Sequence, residues 1–237
     1  MKHRKTGPIC QHSAVVSDQL GIELRQRVGI EPALAAQFGP LESSLEAMGV
    51  AVWPMVELEA DDGLASAARI AAADPRLDRG CIWTPANVQS QCVVGERVVQ
   101  VDRRGGAVRD EAAVRAKFGV PPALIPDWLA LVGDSADGYP GIPGIGPRTA
   151  ADLLNRLGPI EDFPPDVLGE RLEAALLFKR LATLRTDAPL FEDVEELRWA
   201  GPTEAFEALG REIGGDRLVE RARKAERAQA RASGTQR

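Results

Sequence analysis

The chain has no long apolar run, and this absence argues against a membrane protein. None of its 237 residues lies in an apolar stretch approaching the roughly 20 residues that a membrane helix requires. The Lys/Arg-bearing start, Met1 to Thr6, is not followed by the apolar segment of a secretory signal. We therefore expect a cytoplasmic protein that does not associate with membranes.

Cysteine is scarce as well. Cys10, Cys81 and Cys92 form an odd set without the paired spacing of a metal site. In a reducing compartment such residues are expected to be reduced thiols. They carry no functional signal.

A basic excess is also missing, since the formal net charge is −6. Proteins that bind nucleic acid usually carry basic residues in excess, because these displace counterions from the phosphates. A metal-dependent nuclease, however, must concentrate carboxylates at its centre, and these lower the net charge without removing basic residues from the DNA-binding face. The charge therefore does not exclude a nuclease.

The first part of the chain alternates between strand and helix patterns. Residues 50–59, VAVWPMVELE, and residues 80–84, GCIWT, each predict a strand, and the Ala-rich residues 60–73 between them predict a helix. This order is typical of a βαβ unit with a parallel sheet. Residues 91–110 predict a further strand and a hairpin that turns at Gly105-Gly106.

After about residue 120 the pattern changes to helices punctuated by Gly and Pro. We therefore expect an α/β domain over residues 1–120 and an all-helical domain over residues 121–220. Residues 221–237 predict a basic, Ala-rich helical tail that is solvated rather than packed. A short helix closed by Gly49 is expected in the first domain.

The most informative stretch is residues 125–154, IPDWLALVGDSADGYPGIPGIGPRTAADLL. Its end reads as a Gly/Pro hairpin that opens into a helix, with Pro147 in the first helical turn. Gly144 and Gly146 have no side chains just before this helix, so a phosphate can approach the backbone amides closely. The unpaired N–H groups of a helix N-terminus attract the same anion.

Arg148 and Thr149 add a cation and a hydroxyl at this helix start, which favours a grip on the DNA backbone that reads no bases. The alternative is a structural αα-hairpin whose glycines only permit a tight turn. Asp134 and Asp137, just before the hairpin, could share a cation. Their alternative role is capping or turn formation.

The segment LVGDSADGYPGIPGIGPRTAADLL resembles the helix-three-turn-helix signature of the 5′-3′ exonuclease and flap endonuclease family, which is also found at the N-terminus of bacterial family A DNA polymerases. Upstream, KFGVPP, VVQVDRR and ELEADD continue the resemblance, which covers residues 40–160 closely. It implies a partial PIN-like parallel sheet with helices, followed by an all-helical helix-three-turn-helix domain.

The resemblance also implies a set of site residues. The acids of ELEADD would bind one or two Mg²⁺ or Mn²⁺ ions or support the residues that do; they are Glu59, Asp61 and Asp62. Two such ions would polarise the scissile phosphate. Helix N-capping is the alternative role of Asp61 and Asp62. Asp134 and Asp137 match the later acidic pair, so the implied catalytic set is Asp61, Asp62, Asp134 and Asp137.

VVSDQLGIELR resembles the family's second acidic motif and implies Asp18 as a metal ligand and Arg25 as a DNA contact. An ordinary strand end explains Asp18 equally well. K⁺ is implied at the hairpin, where the implied DNA contacts are Gly141, Gly144, Gly146, Arg148 and Thr149.

Three features depart from the family pattern. The opening strand with its own Asp has no counterpart in MKHRKTGPICQHS, and the segment after Arg25 is short. The usual Thr-x-Asp-x-Asp appears as TPANVQ, with Ala86 and Val88 in the acidic positions. A site without these carboxylates would bind a second ion poorly.

Three hypotheses follow for the function. The first is a metal-dependent 5′-3′ exonuclease or 5′ flap endonuclease, a monomer acting on DNA with 5′ ends, flaps or branches. The second is a catalytically impaired homologue that binds structured DNA. The third is a helical interaction protein that has lost both functions.

Overall fold

The computed structural model describes residues 31–55, 57–102, 105–212 and 214–234. They divide into two compact units, one made of the described residues from Met55 to Leu190 and one that combines those before 55 with those after 190. The expectations for Cys10, Asp18 and Arg25 fall outside the described residues. Within these residues, no helix has both the length and the apolar character needed to cross a membrane.

The helices are numbered along the chain: Pro32–Ala35 (α1), Phe38–Ala47 (α2), Ala60–Ala73 (α3), Glu111–Phe118 (α4), Ile125–Val132 (α5), Pro147–Leu157 (α6), Pro165–Leu168 (α7), Leu172–Ala182 (α8), Glu204–Glu212 (α9) and Asp216–Gly234 (α10). Short 3₁₀ segments lie at Asn87–Cys92, Pro122–Leu124, Ile160–Asp162, Gly169–Arg171 and Val194–Leu197. The strands are Gly80–Ile82 (β1), Val98–Val101 (β2) and Val108–Arg109 (β3).

The larger unit contains a small mixed sheet in the order β1-β2-β3. β1 runs parallel to β2, with Ile82 opposite Gln100, and β3 returns antiparallel, with Val108 opposite Val101. The predicted α/β class and the predicted hairpin before residue 110 are confirmed. The sheet contains a parallel pair, but it joins β1 to β2 and not the strands predicted at 50–59 and 80–84.

The prediction of a strand over residues 50–59 is wrong for its described part, since residues 51–55 form no strand. Pro54 has no N–H to donate to a ladder, and Val50 and Pro54 are exposed. The parallel pair therefore forms between β1 and β2. The helix expected after this segment is present as α3.

Small side chains let α3 pack closely on the sheet. Ala68 lies in a buried cluster with Ile82 of β1 and Val98 of β2. Alanine is also the strongest helix former, so composition favours both the helix and its close packing. This packing holds the start of α3 near the ends of the strands.

The main core of the larger unit surrounds α5 and α8. Ile125, Leu129 and Phe178 are almost completely buried, together with Val88 and Phe118 from before residue 120. Each such apolar side chain stabilises the fold by about 1.5–3 kcal/mol. Residues on both sides of position 120 thus share one core, and the domain boundary placed there stays a prediction.

A buried ion pair fixes α8 against α5. Asp127 of α5, whose side chain is 2% exposed, accepts from Lys179 Nζ at 2.8 Å and from the backbone N–H of Ile160 at 2.9 Å. Lys179 also pairs with the exposed Glu161. Since the N–H donor and the ammonium both point at Asp127, its buried charge is compensated.

The smaller unit contains α1, α2, α9 and α10. The helix closed by Gly49 is confirmed, and the indole of Trp199 donates to Met48 O at 2.8 Å. The predicted tail is part of α10, which begins at Asp216, and Ala222 on it is buried. The expectation of a tail that is solvated rather than packed is therefore wrong at Ala222.

Candidate nucleic-acid interface and metal centre

The Gly/Pro hairpin lies between α5 and α6 in the larger unit. It is fixed by two backbone hydrogen bonds, from Ile142 N to Leu131 O at 2.8 Å and from Ile145 N to Ile142 O at 3.0 Å. The indole of Trp128 donates to Pro147 O at 3.3 Å and so ties α5 to the first turn of α6. The loop is therefore a defined structure rather than a free linker.

Two glycines make this hairpin tight. Gly133 ends α5 with a φ of 92°, and a Cβ on it would lie 2.6 Å from the carbonyl oxygen of Pro140. Gly141, with a φ of 73°, is buried, and a Cβ there would overlap the backbone of Val132 and Gly133. Gly141 was expected to contact DNA; it is buried and shapes the hairpin, and its contact with DNA stays a prediction.

The other four contacts predicted at the hairpin lie on exposed residues. Gly144, Gly146, Arg148 and Thr149 are all exposed. A Cβ on Gly144 or Gly146 would meet nothing within 4 Å, so the backbone is open to an approaching ligand. The first N–H groups of α6 point out of the helix start and add partial positive charge. This combination suits a phosphate.

Asp134 and Asp137 lie in the turn between α5 and the hairpin. Asp134 Oδ1 accepts from Ala136 N at 2.9 Å, and its backbone is paired with that of Tyr139. The Tyr139 side chain is buried, and its hydroxyl has no hydrogen-bond partner within the described part of the chain. Burial raises the pKa of this hydroxyl, and the negative charges of Asp134 and Asp137 raise it further.

The acids at the start of α3 are engaged in structural contacts. Asp62 accepts from the N–H of Glu59, the N-cap residue, at 3.1 Å and from the N–H of Arg185 at 2.9 Å. The amide of the buried Gln89 donates to Asp61 O at 2.8 Å and to Asp61 Oδ1 at 3.2 Å. The contacts of Asp62 match the alternative role of helix capping and join α3 to Arg185, whereas Asp61 is bound by Gln89.

The segment after β1 carries no carboxylate at the two expected positions. Ala86 is half-buried, and Val88 is 5% exposed within the main core. The buried Gln100 of β2 donates to Thr84 O at 2.9 Å and to Ala86 O at 2.7 Å. Its Oε1 accepts from Ser90 Oγ at 2.8 Å. A hydrogen-bond network centred on the Gln100 amide thus occupies the ends of the strands.

Two cations lie at this edge of the sheet. Lys117 donates to Asn87 Oδ1 at 2.7 Å, and Arg109 donates to Gln100 Oε1 at 2.6 Å. Burial lowers the pKa of Lys117, and the positive charge of Arg109 lowers it further, although Asp102 opposes the shift. Sequence reasoning missed these partners, because no local pattern connects Gln100 with Thr84 or Asn87 with Lys117.

The described acids do not form one assembled metal centre. Within residues 31–55, 57–102, 105–212 and 214–234, no three Asp, Glu, His or Cys side chains are grouped so that they could hold a metal ion. Asp61 and Asp62 are hydrogen-bonded at α3, whereas Asp134 and Asp137 surround the turn before the hairpin. The metal roles of these four residues and of Glu59 therefore stay predictions.

Comparison with known proteins gives concordant matches. The family model described as 5′-3′ exonuclease, C-terminal SAM fold, matches residues 120–205. DNA polymerase I of Pseudomonas aeruginosa is 33% identical over 216 residues, which are 83% of this chain and 23% of that protein. Flap endonuclease Xni of Serratia proteamaculans is 31% identical over 182 residues, which are 70% of this chain and 68% of that protein.

Solved structures share the fold. The flap endonuclease of bacteriophage T5, solved in complex with DNA and metal ions, superposes with a TM-score of 0.54 at 19% identity. The match covers 79% of this chain and 71% of that chain. The chain spans only about a quarter of the polymerase relative and about two thirds of the Xni relative.

Proposed function

Because the chain belongs to the 5′-3′ exonuclease and flap endonuclease family, we propose that it acts on DNA with 5′ ends, flaps or branches as a 5′-3′ exonuclease or 5′ flap endonuclease. In this proposal the exposed hairpin surface of Gly144, Gly146, Arg148 and Thr149 holds the phosphate backbone. Asp61, Asp62, Asp134 and Asp137 are the proposed acids of the reaction, which hydrolyses phosphodiester bonds.

The observation that carries the proposal is the bare backbone at the start of α6. Gly144 and Gly146 have no side-chain neighbours to block a ligand, and Pro147 begins the helix that directs its N–H groups outward. Arg148 and Thr149 add a permanent charge and a hydroxyl on the same exposed turn. A purely structural αα-hairpin would not require an exposed cation beside open glycines.

A second candidate function is binding of structured DNA without turnover. It is favoured by the contacts of Asp61 and Asp62, which are engaged with Gln89 and Arg185, and by the burial of Val88 where an acid is expected. Residues that act as a unit in catalysis are not replaceable one by one, so hydrolysis would fall by orders of magnitude if these acids serve only the fold.

An assay with a labelled 5′ flap separates the two candidates. The nuclease should cut the flap with Mg²⁺ or Mn²⁺ and stop with EDTA, and Asp134→Asn and Asp137→Asn should remove cutting while leaving binding intact. The binder should retain the flap in EDTA, with affinity that falls steeply with salt, and release no product at any metal concentration.

Two arginines of α6 provide a matched pair for the binding surface. Arg148→Ala should weaken flap binding and reduce its salt dependence, whereas Arg156→Ala removes the same charge from the exposed last turn and should change binding little. A wild-type protein that ignores forked DNA at low salt would contradict both candidates. K⁺ at the hairpin, a monomeric state and a cytoplasmic location belong to the same proposal.

A further inference from the structure

Arg171, which lies outside the hairpin motif, contacts the hairpin directly. It ends the 3₁₀ segment before α8. Its Nη1 donates to Pro143 O in the hairpin at 3.1 Å, and its Nε donates to Leu168 O at 3.2 Å. A longer contact of 3.4 Å joins Nη2 to Val167 O. One guanidinium therefore connects the hairpin to the end of α7.

This contact sets the direction of the peptide that carries the N–H of Gly144. The carbonyl of Pro143 and the N–H of Gly144 belong to the same planar trans peptide, in which the two groups point in opposite directions. Holding the Pro143 oxygen thus holds the Gly144 N–H on the other side. That N–H is on the exposed surface of the hairpin and donates to no group in the described part of the chain.

The Arg171 guanidinium has N–H groups that these three contacts do not use. It has five N–H groups, and the three carbonyls use three of them. The remaining two, one on each terminal nitrogen, are available to donate to phosphate oxygens. A phosphate bound there would differ from the one at the Gly144 N–H, because the two donors lie on opposite sides of one peptide.

The charge of Arg171 is also not neutralised by the fold. Several arginines of this chain, among them Arg76, Arg185 and Arg223, form ion pairs with carboxylates. Arg171 is exposed, and within the described ranges no carboxylate pairs with it. Its three partners are neutral carbonyl oxygens, which orient the guanidinium without cancelling its charge.

We propose that Arg171 is a further DNA-binding residue, which positions the 143–144 peptide of the hairpin and donates its two remaining N–H groups to a second DNA phosphate. This inference rests on the proposed binding of DNA by the hairpin. It requires no metal, so it can be tested in EDTA.

The test measures binding of a labelled 5′ flap in EDTA over a series of salt concentrations. Each phosphate contact contributes about 0.9 to the slope of log affinity against log salt on duplex DNA. Arg171→Ala should lower the slope by about 0.9 and the affinity by about tenfold. Arg180→Ala, a change of equal charge at an exposed position of α8, should leave both at the wild-type value.

Arg171→Lys separates positioning from charge. The ammonium keeps the charge but lacks the planar fork, so the slope should stay at the wild-type value while the affinity falls. Amide exchange in the hairpin, residues 141–149, should become faster in both Arg171 variants and stay unchanged in Arg180→Ala.

Three outcomes would overturn parts of the reasoning, and they are distinguishable. An unchanged slope in Arg171→Ala would refute the phosphate contact. Wild-type affinity and hairpin exchange in Arg171→Lys would refute the positioning role. Failure of the wild-type protein to bind the flap would instead refute the proposed function on which the inference rests.

Discussion

Removal of the Asp62 carboxylate distinguishes a structural role from a metal-binding role by the sign of the stability change. Asp62 accepts from Glu59 N at the helix start and from Arg185 N on a distant segment. Loss of a helix-capping bond costs about 1 kcal/mol, and loss of the second hydrogen bond costs about 1 kcal/mol more. We therefore expect Asp62→Ala to destabilise the region around α3 by about 2 kcal/mol in the absence of metal.

Amide hydrogen exchange measures this change locally, which suits a chain with two compact units. Peptides covering α3 and residues 184–188 should exchange roughly 30-fold faster in Asp62→Ala, because about 1.4 kcal/mol corresponds to a factor of ten. Asp166→Ala, which removes an acid from the first turn of the short α7, is the control and should leave exchange in α3 unchanged.

A metal ligand would give the opposite sign. Carboxylates gathered for a cation repel one another when the cation is absent, so removal of one relieves repulsion. Slower or unchanged exchange in Asp62→Ala without metal, together with protection of the wild-type protein by Mg²⁺ that the variant lacks, would refute the structural role.

Two further predictions compare matched positions. Lys179 is bound by Asp127, whose side chain is 2% exposed, and by Glu161, whose side chain is 53% exposed. Asp127→Ala should destabilise α5 and α8 by about 3 kcal/mol, because it also leaves a buried N–H unpaired. Glu161→Ala should destabilise them by less than about 1 kcal/mol. Equal effects in amide exchange of α8 would show that burial does not decide the strength of this pair. Both Gly141 and Gly144 have a positive φ, so alanine is strained at either position. Gly141→Ala should lower the melting temperature more, because a Cβ at 141 also overlaps backbone whereas one at 144 meets open space. The Gly144 variant should in addition weaken flap binding, and equal melting temperatures would contradict this assignment.

The parts of the fold that depend on neighbouring residues were predictable from the sequence. The hairpin is encoded by closely spaced Gly and Pro residues, and α3 by an alanine-rich run that begins with acids. The turn before β3 was likewise indicated by adjacent glycines. Each of these signals acts over a few residues, so no knowledge of the tertiary structure was needed.

Contacts between distant residues could not be predicted. Asp62 meets the N–H of a residue 123 positions away, and Gln100 bonds the carbonyls of Thr84 and Ala86 across the ends of two strands. The prediction of a strand at residues 50–59 was wrong because it rested on apolar composition and gave too little weight to Pro54, which cannot donate to a strand ladder. Nor does any local motif indicate that Arg171 reaches Pro143.

The burial of Val88 limits how an acidic metal ligand could be introduced at this position by engineering. Two substitutions, Ala86→Asp and Val88→Asp, would give the chain the acidic motif in sequence but not its metal binding, because position 88 faces the interior. A carboxylate there would lose its hydration with no cation yet present, at a cost of several kcal/mol. A carboxylate at position 88 that could bind a cation therefore requires a different backbone over Asn87–Cys92, and the change of side chain must follow that change of backbone.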